Sequence, residues 1–78
     1  MREVVFYTRP GCHLCDEARV EVEAARRQVP FAVREVDILA DRDAWDDHKF
    51  GVPVVEVDGR VLFKHRLSAA ALVERLRP

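Results

Sequence analysis

The sequence predicts an α/β domain in which helices flank a mixed four-stranded sheet. Segments with strand character alternate with segments of helical periodicity in the order β-α-β-(short α)-β-β-α. The strand–helix–strand unit at the start implies a parallel pair of strands joined by a right-handed crossover. Further along, Asp58-Gly59 stands between two short apolar runs, which indicates a tight antiparallel hairpin.

The first part of the chain is predicted to form a buried strand and an amphipathic helix. Residues 4–7 are an apolar run rich in β-branched side chains, which is typical of a strand covered on both faces. A loop over residues 8–11 follows. From Cys12 to about Gln28, apolar residues recur at spacings of three and four, and they predict a helix with the buried stripe Leu14, Ala18, Val22, Ala25 and Val29. Pro30 ends this helix.

The rest of the chain supplies the other strands and helices. Residues 31–37 are predicted to form the second strand, with the inward-facing side chains Phe31, Val33 and Val36. Residues 41–49 favour a short helix around Trp45, whose ring we expect to pack on the sheet. The two hairpin strands follow, over residues 54–57 and 60–63. Ser68 is suited to cap a final helix whose apolar side is Leu72, Val73 and Leu76.

Composition indicates a single globular domain over residues 1–78 without a strong charge bias. The chain is 49% hydrophobic and 35% charged, and its 13 basic residues nearly balance 14 acidic ones. Because the basic residues are scattered, we expect no nucleic-acid or membrane partner. No apolar run approaches the ~20 residues that a membrane-spanning helix needs. The chain enters its first strand without a signal-peptide core, so we expect a cytoplasmic monomer.

The two cysteines are the chemically informative residues of the chain. Cys12 and Cys15 lie at the junction between the first strand and the first helix, separated by His13 and Leu14. A disulfide between them closes too small a loop to stabilise a fold by restricting the unfolded chain. A thiolate at a helix start, with a second thiol one turn further on, is suited to thiol–disulfide exchange. Helix N–H groups stabilise the negative sulfur, and Arg9 and a protonated His13 are candidate cations beside it.

Other interpretations of this pair and its neighbours stay open. The cysteines could be two core thiols without a redox role. They could also form half of a tetrahedral zinc site, although His48 and His65 lie in separate segments without the usual ligand spacing. Tyr7, at the end of the first strand, is expected to fill the edge of the core with its hydroxyl in water.

The cysteine motif and its surroundings resemble those of the glutaredoxins, and particularly the small glutaredoxin-like families. The shared features are a strand leading into residues 7–15, the Gly-Val-Pro segment at residues 51–53 ahead of the hairpin, the chain length and the terminal helix. Cys-x-x-Cys alone is a weak motif, but it is specific in a βαβ opening with Val-Pro before a hairpin. The resemblance covers nearly the whole chain and implies a thioredoxin-like fold of the glutaredoxin type.

The resemblance also implies roles for individual residues. Cys12 would be the attacking thiol and Cys15 the resolving thiol of a dithiol–disulfide oxidoreductase. The peptide bond between Val52 and Pro53 would be cis and would lie beside the cysteines, where the backbone of Val52 would hydrogen-bond the thiol substrate. No bound cofactor is implied. The partners would be a disulfide-containing protein or a glutathione mixed disulfide, with glutathione or a reductase as the electron source.

Two departures from the family's pattern concern glutathione. His13 and Leu14 replace the Pro-Tyr pair of the usual dithiol motif, and residues 63–68 replace the Gly-Gly and Asp pairs that help hold glutathione in glutaredoxins. Ser68 begins a helix whose backbone N–H groups could still hold a carboxylate. The sequence therefore allows a glutathione-dependent enzyme, a glutathione-independent electron donor to a dedicated protein, and a metal or iron–sulfur carrier or adaptor on the same fold.

Overall fold

The observed elements follow the predicted order along the chain. The structure, a computed structural model, describes residues 1–77. Its strands are β1 (Glu3–Thr8), β2 (Ala32–Asp37), β3 (Val54–Val57) and β4 (Arg60–Lys64). Its helices are α1 (His13–Arg26), α2 (Arg42–His48) and α3 (Ala69–Leu76). None of the helices within these residues is long and apolar enough to cross a membrane.

The strands form one mixed sheet in the order β2-β1-β3-β4. β1 runs parallel to β2, across the α1 crossover, and antiparallel to β3. The turn between β3 and β4 has positive φ at Asp58 (50°) and Gly59 (84°), as a type I′ hairpin requires. Tyr7 pairs with Val54 in the register of β1 and β3. This pairing brings the segment after β1, which carries the cysteines, beside the segment that precedes β3.

Two hydrophobic clusters cover the opposite faces of the sheet. The larger one joins β1 and β3 to α1 and α3 and includes Val4, Phe6, Ala18, Val22, Val55, Leu72 and Val73. The smaller one, here called the cysteine-side cluster, consists of Cys15, Ile38, Ala44 and Val52, with Tyr7, Cys12 and Val36 packed against it. Successive side chains of a strand point to opposite faces. Phe6 and Tyr7 therefore contribute to different clusters, and so do Val33 and Val36.

Several predicted boundaries shift by one or two residues, and two of the shifts involve core positions. The first helix ends at Arg26 rather than near Gln28, because the backbone N–H of Gln28 bonds the carbonyl of Ala25, three residues back, instead of continuing the α-helical pattern. The second strand begins at Ala32, and Phe31 is buried just before it. Neither shift changes the topology or the face on which a core residue lies.

The prediction that Trp45 packs on the sheet is wrong. Its side chain is 37% exposed and lies with Leu39 at the rim of a surface cleft. The residues that α2 buries are Ala44 and His48, one helical turn apart. Ala44 belongs to the cysteine-side cluster and His48 stacks on Tyr7, so these two side chains fill the side of α2 that faces the sheet.

Candidate functional site

Cys12 occupies the N-cap position of α1, at the open end of the helix. Its sulfur accepts a hydrogen bond from the backbone N–H of Cys15 at 3.1 Å. The backbone N–H of Cys12 donates to the carbonyl of Arg9 at 3.2 Å, which closes the loop that leads from β1 into the helix. Helix N-terminal N–H groups stabilise a negative sulfur. Because Cys12 is partly exposed, a substrate can reach this sulfur.

Cys15 lies behind Cys12 and is only 1% exposed. It packs in the cysteine-side cluster against Ile38, Ala44 and Val52. Burial raises the pKa of the Cys15 thiol to about 12, and the hydrogen bond with Cys12 adds to the effect. Both cysteines are free thiols in this structure. The site therefore presents one accessible sulfur and one inner sulfur that holds its proton strongly.

The Val52–Pro53 segment lies against the same cluster. The peptide bond between these residues is cis, as the resemblance implied. Pro53 is fully buried, and Val52 packs with Cys15 in the cysteine-side cluster. The carbonyl of Pro53 accepts a hydrogen bond from the backbone N–H of His65 at 2.8 Å, which ties the segment to the end of β4. The structure thus brings together the cysteines, Val52 and Pro53, which were predicted to share one site.

The two candidate cations on either side of Cys12 in the sequence are both exposed. Arg9 has an exposed side chain, and its backbone holds the loop through the carbonyl that bonds Cys12. His13 is 87% exposed at the side chain, and its Nε2 lies 3.0 Å from Oε2 of Glu17 on the next turn of α1. The imidazole of His13 therefore has a carboxylate partner on its own helix. The structure pairs His13 with a carboxylate that the sequence did not single out.

Ser68 caps α3, but the donors at this helix end are largely occupied. The Ser68 hydroxyl oxygen accepts the backbone N–H of Ala71 at 3.1 Å. The N–H of Ala69 donates to Oε1 of Glu21, on α1, at 2.9 Å. Two of the N–H groups at this helix end thus already bind oxygen atoms of the protein itself, and binding of a ligand carboxylate here stays a prediction. Sequence reasoning missed Glu21, whose partner lies 48 residues away.

Tyr7 forms a polar contact beneath the cysteines. Its hydroxyl donates to Oε2 of Glu56 at 3.3 Å, and its ring lies 4.2 Å, between ring centroids, from the imidazole of His48. Burial, followed by the nearby Glu56 carboxylate, raises the pKa of Tyr7. Tyr7 is partly exposed, so the predicted position at the edge of the core holds, and its hydroxyl has Glu56 as a protein partner. The ring is held between α2 and the sheet, where it packs against the cysteine-side cluster.

Arg19 fastens the cysteine-bearing helix to the sheet. Its guanidinium makes two hydrogen bonds to Glu35 on β2, at 3.2 and 2.8 Å, and one to Asp16 at 3.0 Å. The same Glu35 carboxylate accepts the Thr8 hydroxyl at 3.5 Å. A bidentate Arg–carboxylate pair fixes geometry as well as charge. Arg19 follows Cys15 by one helical turn, so this clamp helps to fix the helix segment that carries the inner thiol.

The metal alternative finds no ligand cluster within the described part of the chain. Among residues 1–77, no group of three or more His, Cys, Asp or Glu side chains is placed to hold a metal ion. A zinc or iron–sulfur site on Cys12 and Cys15 would need further ligands from a second chain or from outside thiols. That alternative stays a prediction.

A known protein family matches nearly the whole chain. A family model described as a glutaredoxin-like domain (DUF836) matches residues 3–77, which include both cysteines and the Val52–Pro53 segment. The chain belongs to the glutaredoxin-like family. The resemblance drawn from the cysteine motif and its context is thereby confirmed.

A relative of this glutaredoxin-like protein carries the same family description in its name. A protein of Dictyostelium discoideum named "Glutaredoxin-like protein YDR286C homolog" is 37% identical over 69 residues. The match covers 81% of this chain and 64% of that relative, so the chain spans under two thirds of the relative's length.

Solved structures agree on the fold of this glutaredoxin-like protein. The X-ray structure of protein XcR50 from X. campestris is 33% identical, with a TM-score of 0.72 and coverage of 96% of this chain and 99% of that one. Thioredoxin-2 of the malaria parasite is 13% identical, with a TM-score of 0.80 and coverage of 97% and 81%. At this identity the second likeness concerns the fold alone. The predicted thioredoxin-like α/β fold is confirmed.

Proposed function

We propose that this glutaredoxin-like protein is a dithiol–disulfide oxidoreductase that cycles between a Cys12–Cys15 disulfide and a dithiol. The observation that carries the proposal is the placement of the two sulfurs. Cys12 is accessible at the N-cap of α1 and accepts the N–H of Cys15, while the Cys15 thiol is buried directly behind it. Membership in the glutaredoxin-like family supports a redox role for this pair.

The exchange needs only these two sulfurs and a substrate disulfide. The Cys12 thiolate attacks one substrate sulfur, the substrate S–S bond breaks, and the first substrate thiolate leaves. Cys15 then loses its proton and attacks the Cys12 sulfur of the mixed disulfide. The second substrate thiolate leaves, and a Cys12–Cys15 disulfide remains. The substrate gains two electrons, which a reductant must later return to the protein by the reverse steps.

The surroundings of Cys15 favour this order of events. Burial and the neighbouring Cys12 both raise the pKa of the Cys15 thiol, so Cys15 stays protonated while Cys12 makes the first attack. Once Cys12 is joined to the substrate, its negative charge no longer opposes a Cys15 thiolate. The second attack therefore becomes easier after the first has taken place.

Val52, Pro53 and the cap of α1 supply the surface on which a substrate would lie. In this proposal the backbone of Val52 hydrogen-bonds an extended substrate segment, and Arg9 and His13 border the sulfur. We place the protein in the cytoplasm, whose reducing conditions would return the pair to the dithiol. Glutathione and a dedicated protein partner are the two candidate electron sources. The contact between Glu21 and α3 favours the glutathione-independent route, because it occupies a donor that an anionic ligand would use.

Turnover of 2-hydroxyethyl disulfide tests this function, with electrons supplied either by glutathione and glutathione reductase or by thioredoxin reductase. The wild type should consume NADPH with at least one of the two systems. Cys12→Ser should reduce the rate to the uncatalysed background, because the attacking sulfur is lost. In the absence of glutathione, Cys15→Ser treated with the same disulfide should accumulate a covalent adduct of 2-mercaptoethanol at Cys12, visible by mass spectrometry, because no second thiol is present to release it.

Two results would contradict the proposal. Equal NADPH consumption by folded wild type and Cys12→Ser would show that the cysteine is not the nucleophile. Metal or a coloured cluster in the purified protein, retained by the wild type and lost in both cysteine variants, would instead favour the carrier alternative.

A further inference from the structure

A cavity of about 320 Å³ opens beside the redox helix. Its walls include Leu14, Glu17, Glu21, His65, Arg66 and Leu67. Leu14 stands between the two cysteines in sequence, so the cavity begins within one helical turn of Cys12. A disulfide substrate that approaches Cys12 from the α3 side would extend the parts beyond its sulfurs into this space.

The most firmly held charge in this cavity is the carboxylate of Glu21. Its Oε1 accepts the N–H of Ala69, the first residue of α3, at 2.9 Å, and the residue is only partly exposed. A carboxylate is favoured at a helix N-terminus because the unpaired N–H groups there carry partial positive charge. Glu21 therefore takes the position in this cavity at which a substrate carboxylate would be best stabilised.

The other charges of the cavity do not offset Glu21. Arg66 is 77% exposed at its side chain, and its guanidinium lies 3.9 Å from the Glu17 carboxylate. Glu17 also contacts His13 at 3.0 Å. Exposed charges such as Arg66 are screened by water and salt, whereas a partly buried carboxylate is screened less. His65 also lines the cavity, and it forms no ion pair with another of residues 1–77. The cavity therefore presents the carboxylate of Glu21, which is held on α3, and an exposed Glu17–Arg66 pair that is solvated.

We infer that Glu21 determines substrate selectivity: seated on the first N–H of α3, it disfavours disulfides whose carboxylates extend into this cavity and favours neutral or cationic ones. This inference rests on the proposed exchange reaction at Cys12 and names its substrate class. A substrate carboxylate in the cavity would either meet the Glu21 charge or have to displace it from Ala69. A neutral or cationic group pays neither cost, and an ammonium group gains from the nearby carboxylates.

Three small disulfides that differ in charge test this selectivity. The reduced wild type and Glu21→Gln are oxidised by glutathione disulfide, which carries carboxylates, by neutral 2-hydroxyethyl disulfide and by cationic cystamine. In each case two protein thiols lose two electrons and the disulfide becomes two thiols. Thiol loss is followed at low ionic strength and at 0.5 M salt. Dividing the variant's rate constant by the wild type's, disulfide by disulfide, cancels the intrinsic reactivity of each reagent.

We expect Glu21→Gln to raise the rate constant for glutathione disulfide about fivefold, as removal of one nearby charge suggests. The ratio should be near one for 2-hydroxyethyl disulfide and below one for cystamine, and high salt should shrink both effects. The Gln carbonyl oxygen can still accept the Ala69 N–H, so the fold is retained. Glu23→Gln is the matched control, because Glu23 lies on the same helix, pairs with Arg26 and does not line the cavity.

Two results would overturn the inference. Equal ratios for the three disulfides would show that Glu21 acts on stability or access and not through charge. The same charge-dependent ratios in Glu23→Gln would show that only the overall charge of the helix matters. A separate outcome concerns the proposed function: if none of the three reagents oxidises the folded wild type, the exchange reaction itself is wrong.

Discussion

Phe6→Ala should leave much of the protein unfolded at 25 °C. Phe6 is 1% exposed on β1, an interior strand of the sheet, and packs in the cluster that joins the sheet to α1 and α3. Removing a buried phenylalanine ring costs about 3–5 kcal/mol. A domain of this size has a stability of the same order, about 5 kcal/mol. Urea unfolding followed by circular dichroism should show a midpoint close to zero denaturant, or no folded baseline.

Phe50→Ala is the matched control, because the same atoms are removed from an exposed position. Phe50 is 88% exposed, and the Lys49 side-chain nitrogen lies 5.6 Å from the centre of its ring. The free energy of unfolding of the Phe50→Ala variant should stay within about 0.5 kcal/mol of the wild-type value. Equal destabilisation by the two substitutions would mean that burial in this cluster does not account for the stability of the fold.

Local signals explain why most of the fold could be predicted. The Asp58-Gly59 turn supplies the positive φ values that a tight hairpin needs, and Pro30 sets the end of the first crossover helix within a few residues. Trp45 shows the limit of such reasoning. Size and apolarity favour the indole as the buried residue of α2, but burial depends on which side of the helix meets the sheet. Ala44 and His48 occupy that side, and their partners come from other elements.

Some residues of the candidate site could likewise be predicted from the sequence, and others could not. Cys12, Cys15 and the Val52–Pro53 segment were predictable because their motif and its position along the chain mark them. Glu21 could not be predicted, because in the sequence it is only one of several acidic residues on the solvent-facing side of the first helix. Its role depends on α3 packing beside α1, and the Ala69 N–H that it binds lies 48 residues further on. Glu56 is similar, since its partner Tyr7 is 49 residues away on a neighbouring strand.

In Cys12→Ala, Cys15 should react with iodoacetamide at pH 8 at least about a hundredfold more slowly than cysteine in an unstructured peptide. The thiolate is the reacting form, and an ordinary thiol has a pKa near ~8.5. In the wild-type dithiol, burial and then the Cys12 hydrogen bond raise the pKa of Cys15 to about 12. Such a thiol is roughly a thousandfold less ionised at pH 8 than a free one. The variant removes the contribution of Cys12 but keeps the burial. We therefore expect the reaction of Cys15 to be slowed less than the wild-type pKa implies, but still at least about a hundredfold.

The pH profile of this reaction separates a raised pKa from simple steric protection. Because the folded Cys15 holds its proton more tightly, its rate should continue to rise with pH above 9, where the peptide thiol approaches its plateau. In denaturant, Cys15 should react like the peptide. A slow rate that levels off near pH 8.5 would indicate blocked access with an ordinary pKa. A Cys15 that stays protonated until Cys12 has bonded to the substrate cannot compete for the first attack, so the raised pKa would itself assign the order of the two cysteines.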